Sequence, residues 1–170
     1  MAMNVPYEAI GKGFVQQYYT LFDDPAQRPN LINMYNTETS FMTFEGLQIQ
    51  GGIKIMEKLT SLSFQKINRV ITAIDSQPMF DGGVLINVLG RLQTDEDQPH
   101  AYIQTFVLKP IGTSFYVQHD IFRLALHDTL HEQGRTGSRN VCVTRTISEP
   151  PNLIDNPLVT STYLPSILSR

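Results

Sequence analysis

The chain has a single cysteine, Cys142, and no tryptophan among its 170 residues. A lone cysteine closes no intrachain disulfide, which fits a reducing compartment. No apolar run approaches the roughly 18 residues of a membrane-spanning helix. The first residues, MAMNVPYEAIGKG, lack the basic and then apolar segments of a secretory signal. The expectation is a cytosolic protein, small enough for the nucleus, with no membrane insertion. A basic stripe is missing too. Residues 1–128 carry 9 Lys/Arg against 13 Asp/Glu, and residues 129–170 carry 4 Arg against 3 acids, for a net charge of −3. A mildly acidic domain is poorly matched to the phosphates of nucleic acid and better matched to basic surfaces of protein partners.

What is present is a 41% hydrophobic, 17% charged composition, ordinary for a folded protein. Pro6 suits a first helical turn, and Ile10, Phe14, Tyr18, Leu21 and Phe22 recur at helical spacing, which predicts a helix over 6–22 stopped by Asp23-Asp24-Pro25. A short helix is expected around Leu31–Tyr35. Next comes a hairpin, Ser40–Phe44 and Leu47–Gln50 around Glu45-Gly46, and then a helix over Ile53–Leu62. From Phe64 the period changes to two, predicting strands over Ile67–Ser76, Val84–Gln93, Ala101–Lys109 and Ser114–Leu126. Helices first and then consecutive strands joined by short turns argue for an α+β fold with an antiparallel sheet. Both faces of Val84–Leu89 are partly apolar. One face meets the helices, and the other needs cover, most simply from a second subunit. After His127 the periodicity ends, and Pro150, Pro151, Pro157 and Pro165 interrupt the remaining stretch. Residues 129–170 are therefore expected to be a disordered or loosely packed appendage to a domain at 1–128.

The most enzyme-like string is His127-Asp-Thr-Leu-His131, but it straddles a strand end, and Asp stands where a zinc protease needs Glu. Gly134-x-x-Gly137 lacks the Gly-Lys-Ser/Thr of a phosphate loop, and Gly11-Lys-Gly13 lacks the third glycine of a dinucleotide fingerprint. Asp75, His119 and Asp120 are candidate acid–base groups, yet neighbours in a strand point to opposite faces. Asp95-Glu96-Asp97 is a solvated turn or a docking site for Lys or Arg. If strand geometry continues into this loop, Asp95 and Asp97 share a face. Phe44-Glu45 is a core residue beside a turn residue, or the rim of a cavity.

The strings IGKGFVQQYYTLFDD (10–24), SFMTFEGLQIQG (40–51), EKLTSLSFQKINRVITAIDSQP (57–78) and DIFRLALH (120–127), with the acidic loop LQTDEDQP (92–99), resemble the nuclear transport factor 2 family from about residue 4 to 127. The resemblance implies a cone-like, curved antiparallel sheet on about three N-terminal helices, enclosing a hydrophobic cavity and working as a homodimer. It implies no enzyme, cofactor or metal. Its expected partners are the GDP-bound small GTPase Ran and Phe-rich (FxFG) nucleoporin repeats, at the nuclear pore and in both compartments. Carried over by position, Glu45, Asp95 and Asp97 are rim acids for basic residues of Ran. Phe44, Leu62, Ile67, Ile121 and Phe122 line or border the cavity that takes an aromatic of Ran, with Lys66 nearby, and Tyr7 belongs to the nucleoporin site. The family commonly carries Trp where this chain has Tyr7 and Phe44, which lowers the expected aromatic area. It also ends just after the position of His127, and the appendage is expected to weaken repeat binding. An enzyme on the same fold, or a dimerisation module without Ran binding, are the alternatives.

Overall fold

The computed structural model describes residues 6–126; His127, His131, Cys142 and the stretch 129–170 lie outside the described residues. Helix α1 spans Tyr7–Asp23 and buries Gly11, Val15, Tyr18, Tyr19 and Phe22; of the residues at helical spacing, Tyr18 and Phe22 lie on this face, and Ile10, Phe14 and Leu21 are only partly buried. Its first bond runs from the Ile10 N–H to the Pro6 carbonyl at 3.0 Å. Asp24 takes extended backbone and its carboxylate accepts the Ala26 N–H at 2.9 Å, turning the chain away.

The short helix expected at Leu31–Tyr35 is a 3₁₀ segment, Arg28–Met34, with Pro29 in its first turn. Strands β1 (Phe41–Phe44) and β2 (Leu47–Gln50) form the hairpin, and α2 covers Gly52–Thr60. The long strands are β3 (Ile67–Pro78), β4 (Val84–Thr94), β5 (His100–Ile111) and β6 (Ser114–Leu124).

The six strands form one sheet in the order β2-β1-β6-β5-β4-β3. The sheet is antiparallel, as expected, but for one pairing: β1 runs parallel to β6, with Met42 opposite Asp120 and Phe44 opposite Phe122. The β1–β2 hairpin crosses to the far edge of the sheet through α2, and a parallel neighbour is what such a crossover permits. Bulges at Ile71/Ala73 and Val107/Leu108 bend the long strands, and α1 crosses the concave side. Gly11 lets the helix come this close, since a Cβ there would collide with Ser76 Oγ.

Alternation along β4 buries Val84, Ile86, Val88, Leu92 and Thr94 toward the helices. Opposite them on β5 stand Tyr102, Gln104, Phe106 and Leu108, all buried. The convex face carries Val70, Leu89, Ile103 and Ile121, between 40% and 63% exposed, with Leu89 directly opposite Ile103. An apolar strip is therefore left bare on the outer surface. No helix among the described residues is long and apolar enough to cross a membrane.

Candidate functional site at the open end of the sheet

Two corners at this end share an unusual backbone. Among the described residues, the only non-glycine residues with positive φ are Glu45 (50°) and Asp95 (49°). Glu45 and Gly46 (φ 88°) are the paired left-handed residues of a two-residue hairpin turn. The Glu45 N–H donates to the Phe122 carbonyl at 3.0 Å, and one carboxylate oxygen accepts the Leu124 N–H in a short hydrogen bond. The other oxygen lies 3.8 Å from Arg123 Nη1, whose side chain is 60% exposed. This acid is thus fixed by the backbone of the neighbouring strand.

The Asp95 corner closes differently. Asp95 Oδ1 accepts two backbone N–H groups, Gln65 at 3.0 Å and Lys66 at 2.9 Å, while its own N–H returns to the Lys66 carbonyl at 2.9 Å. The acidic loop is thereby tied to the segment between α2 and β3, which carries Leu62 and Lys66 and leads into Ile67 at the start of β3. Strand geometry does not continue into the loop, because β4 ends at Thr94 and Asp95 is left-handed. Asp97 instead folds back, its Oδ2 accepting from Thr94 Oγ1 at 3.4 Å and its carbonyl accepting from Gln93 Nε2 at 3.0 Å.

Between the corners Phe44 stacks on Phe122, centroids 5.0 Å apart at 15°, and Phe122 stacks on Tyr102 at 5.7 Å. The Lys58 ammonium lies 5.3 Å from the Phe44 centroid. Beneath the pair is a narrow hollow bordered by Tyr18, Met42, Leu59, Arg69 and Gln104. Its free space is about 10 Å³, room for a single water and not for a substrate. Leu62 is buried, Ile67 is half-buried against the core, and Lys66 is exposed. Ile121 departs from its expected place. It precedes Phe122 in a strand, so it points to the convex face and is 50% exposed there. Tyr7 opens α1 and is partly buried against the core.

Several interior groups gave little local signal in the sequence. Arg28 is 3% exposed, its guanidinium between Phe22 (5.2 Å) and Phe64 (4.7 Å). It donates to the carbonyls of Phe22 (2.8 Å) and Leu62 (3.3 Å), which positions the segment leading to Lys66. Arg69 makes a two-pronged pair with Asp23, shortest at 2.7 Å, and covers the Tyr19 ring at 3.9 Å.

Of the acid–base candidates, His119 and Asp75 are exposed, and Asp120 is fully buried. Tyr35 Oη (2.8 Å), Gln104 Nε2 (2.8 Å) and Tyr18 Oη (3.2 Å) all donate to the Asp120 carboxylate. Tyr19 Oη donates to Gln104 Oε1 at 2.9 Å, which fixes that amide with its NH₂ toward Asp120. Burial pushes the Asp120 pKa up to about 6, and the three donors restrain the rise. A carboxylate in such a cage supports the fold, since no substrate reaches it.

The domain described as "Nuclear transport factor 2 (NTF2) domain" matches residues 10–124. The chain belongs to the nuclear transport factor 2 family. It is 44% identical over 132 residues to the probable nuclear transport factor 2 of Caenorhabditis elegans, covering 75% of this chain and 99% of that protein. It is 44% identical over 124 residues to nuclear transport factor 2 of Saccharomyces cerevisiae, covering 72% and 97% respectively. The solved structure of nuclear transport factor 2 from Cryptosporidium parvum superposes with a TM-score of 0.66 at 38% identity, over 71% of this chain and 96% of that one. Relatives at this identity are named transport factors and not enzymes, which gives this chain a transport role.

Proposed function

We propose that this chain is a nuclear transport factor that loads the GDP-bound form of Ran at the Phe44–Phe122 end of the sheet and carries it through the pore on Phe-rich nucleoporin repeats. The observation that carries the reading is the pair of positive-φ acids, Glu45 and Asp95. Left-handed backbone at a non-glycine residue costs about 1–3 kcal/mol and gathers at functional sites, where surrounding contacts hold it. Here those contacts hold two acids at the end of the sheet that also carries the Phe44–Phe122 pair. Basic side chains of a partner are steered to such acids, and one partner aromatic completes the contact against Phe44 and Phe122. Ile67 and Leu62 extend that apolar surface, Lys66 flanks it, and Asp97 adds negative charge to the Asp95 corner. Tyr7 offers an aromatic face to the repeats.

The convex strip of Val70, Leu89, Ile103 and Ile121 supports a homodimer, and it gives Ile121 that role instead of a place in the cavity. Residues 129–170 then extend a transport domain ending near 128, and the protein is placed in cytoplasm and nucleus, concentrated at the pore. Retention of immobilised Ran-GDP but not Ran-GTP is the expected result. Equal retention of both, or of neither, overturns the reading.

A further inference from the structure

Two features at one end of the molecule have no part in that function. The first is Phe80, 99% exposed in the turn between β3 and β4. The turn is held firmly, with Met79 N–H to Gly83 carbonyl at 2.9 Å, Gly82 N–H to Met79 carbonyl at 3.1 Å and Gly83 N–H to Asp81 Oδ1 at 2.9 Å. An ordered turn therefore presents a whole phenyl ring to water, an unfavourable exposure that burial against a partner would relieve. Beside it, a Cβ on Gly82 would sit 3.7 Å from Pro110, and the next residue, Ile111, is 57% exposed.

The second is a groove of about 460 Å³ between α1, the 3₁₀ segment and the β5–β6 hairpin. Ile10, Phe14, Leu21, Met34 and Phe115 form its apolar part, Gln17, Asn30, Asn33 and Ser114 line it with neutral polar groups, and none of the described residues lining it is charged. Gly13 lies in this groove, exposed in the middle of α1, and a Cβ there would meet nothing within 4 Å. Glycine in a helix interior is destabilising relative to alanine. Gly11 has a close approach to Ser76 that requires it, whereas Gly13 has none. What Gly13 does is leave the groove open.

We propose that a second copy of this chain docks its Phe80 in the α1 groove. An uncharged hollow with an apolar floor and neutral polar sides suits a ring without charge, and this chain displays such a ring on an ordered turn. Ring and groove lie at the same end of the sheet, since Leu108 and Ser114 of the groove flank the turn whose Pro110 lies against Gly82. That placement suits a two-fold contact in which each copy gives its ring and receives the other. The contact uses none of Val70, Leu89, Ile103 or Ile121, so it joins the convex-face dimers proposed above into a larger assembly. The area is small and the association weak, with Kd on the order of 100 µM.

Sedimentation velocity of the full chain from about 5 to 500 µM tests this. The wild type is expected to grow beyond its dilute baseline across that range. Phe80→Asp and Gly13→Leu are each expected to stay at baseline. Their equimolar mixture is expected to regain part of the growth, because Gly13→Leu still offers a ring and Phe80→Asp an open groove. Gly13→Leu is also expected to raise the thermal midpoint, which separates lost docking from lost folding. Ile121→Glu is expected to lower the baseline while leaving the concentration-dependent step, so failure of the convex-face dimer is seen apart from failure of this contact. A wild type that stays at baseline overturns the proposal, as do variants that assemble like it. It also falls if the groove takes a Phe-rich repeat peptide while the wild type does not assemble.

Discussion

The Glu45 and Asp95 corners use the same strained backbone for different ends. Asp95 spends one oxygen on two N–H groups and so ties β4 to the start of β3. Glu45 spends one oxygen on a single N–H and holds the other beside an exposed arginine. The Asp95 corner therefore carries more backbone hydrogen bonds, and the Glu45 corner holds its second oxygen beside a charge that a partner's base can replace. Sequence position alone makes them equivalent rim acids. Hydrogen bonding separates them.

The largest expected effect comes from reversing charge at the Glu45 corner. Glu45→Lys is expected to abolish Ran-GDP binding, the loss of a desolvated charge partner being worth about 2–5 kcal/mol. Calorimetry reads the affinity and circular dichroism checks the fold, and unchanged affinity removes Glu45 from the site. Glu45→Gln sharpens the test, because it keeps an acceptor for the Leu124 N–H while deleting the charge.

A third acid, Asp120, is the opposite case, buried and out of any partner's reach. Its folded pKa of about 6 lies above an unfolded value near 3.9, so the native state takes up this proton first as pH falls. The stability from this group is fully present below about pH 4 and lost as pH rises through about 6, a change of about 3 kcal/mol. Urea midpoints at pH 7 and pH 4.5 are expected to show the wild type gaining on Asp120→Asn at the lower pH. Parallel pH profiles of the two proteins contradict the assignment.

Much of this was legible in the sequence, for identifiable reasons. Period-two patterns place β3 to β6 within a few residues, and strand alternation separates exposed His119 from buried Asp120. The same alternation separates Ile121 from Phe122, yet the family resemblance assigns both to one cavity. The parallel β1–β6 pairing has no local signature, because register between distant strands is set by the crossover and not by either strand. Arg28 is hidden for a related reason: its burial depends on Phe22 and Phe64 arriving from different elements. The left-handed Asp95 ends the alternation that would have put it on one face with Asp97. Turn chemistry favours Asp there without requiring it.

Next in size is a test of whether the Asp95 corner is chiefly structural. Asp95→Ala deletes the acceptor of two N–H groups and keeps the unfavourable φ, so a loss of about 1–3 kcal/mol in unfolding free energy is expected. Asp95→Asn retains an acceptor oxygen and is expected to recover most of that stability while still lowering the Ran-GDP on-rate. If Asp95→Ala unfolds like the wild type, the two corners do not differ as described.

The smallest effect concerns what Glu45 does before a partner arrives. Arg123 is mostly exposed and its nitrogen stands 3.8 Å from the carboxylate, so the pair contributes at most about 1 kcal/mol to folding. A basic residue of Ran approaching Glu45 competes with that guanidinium for the same oxygen. Arg123→Gln is therefore expected to leave the thermal midpoint nearly unchanged and to tighten Ran-GDP binding a few-fold. The gain is expected to shrink as salt rises and screens the competition. Weaker binding in Arg123→Gln would mean instead that Arg123 holds Glu45 in place, and the corner would then be as structural as its counterpart at Asp95.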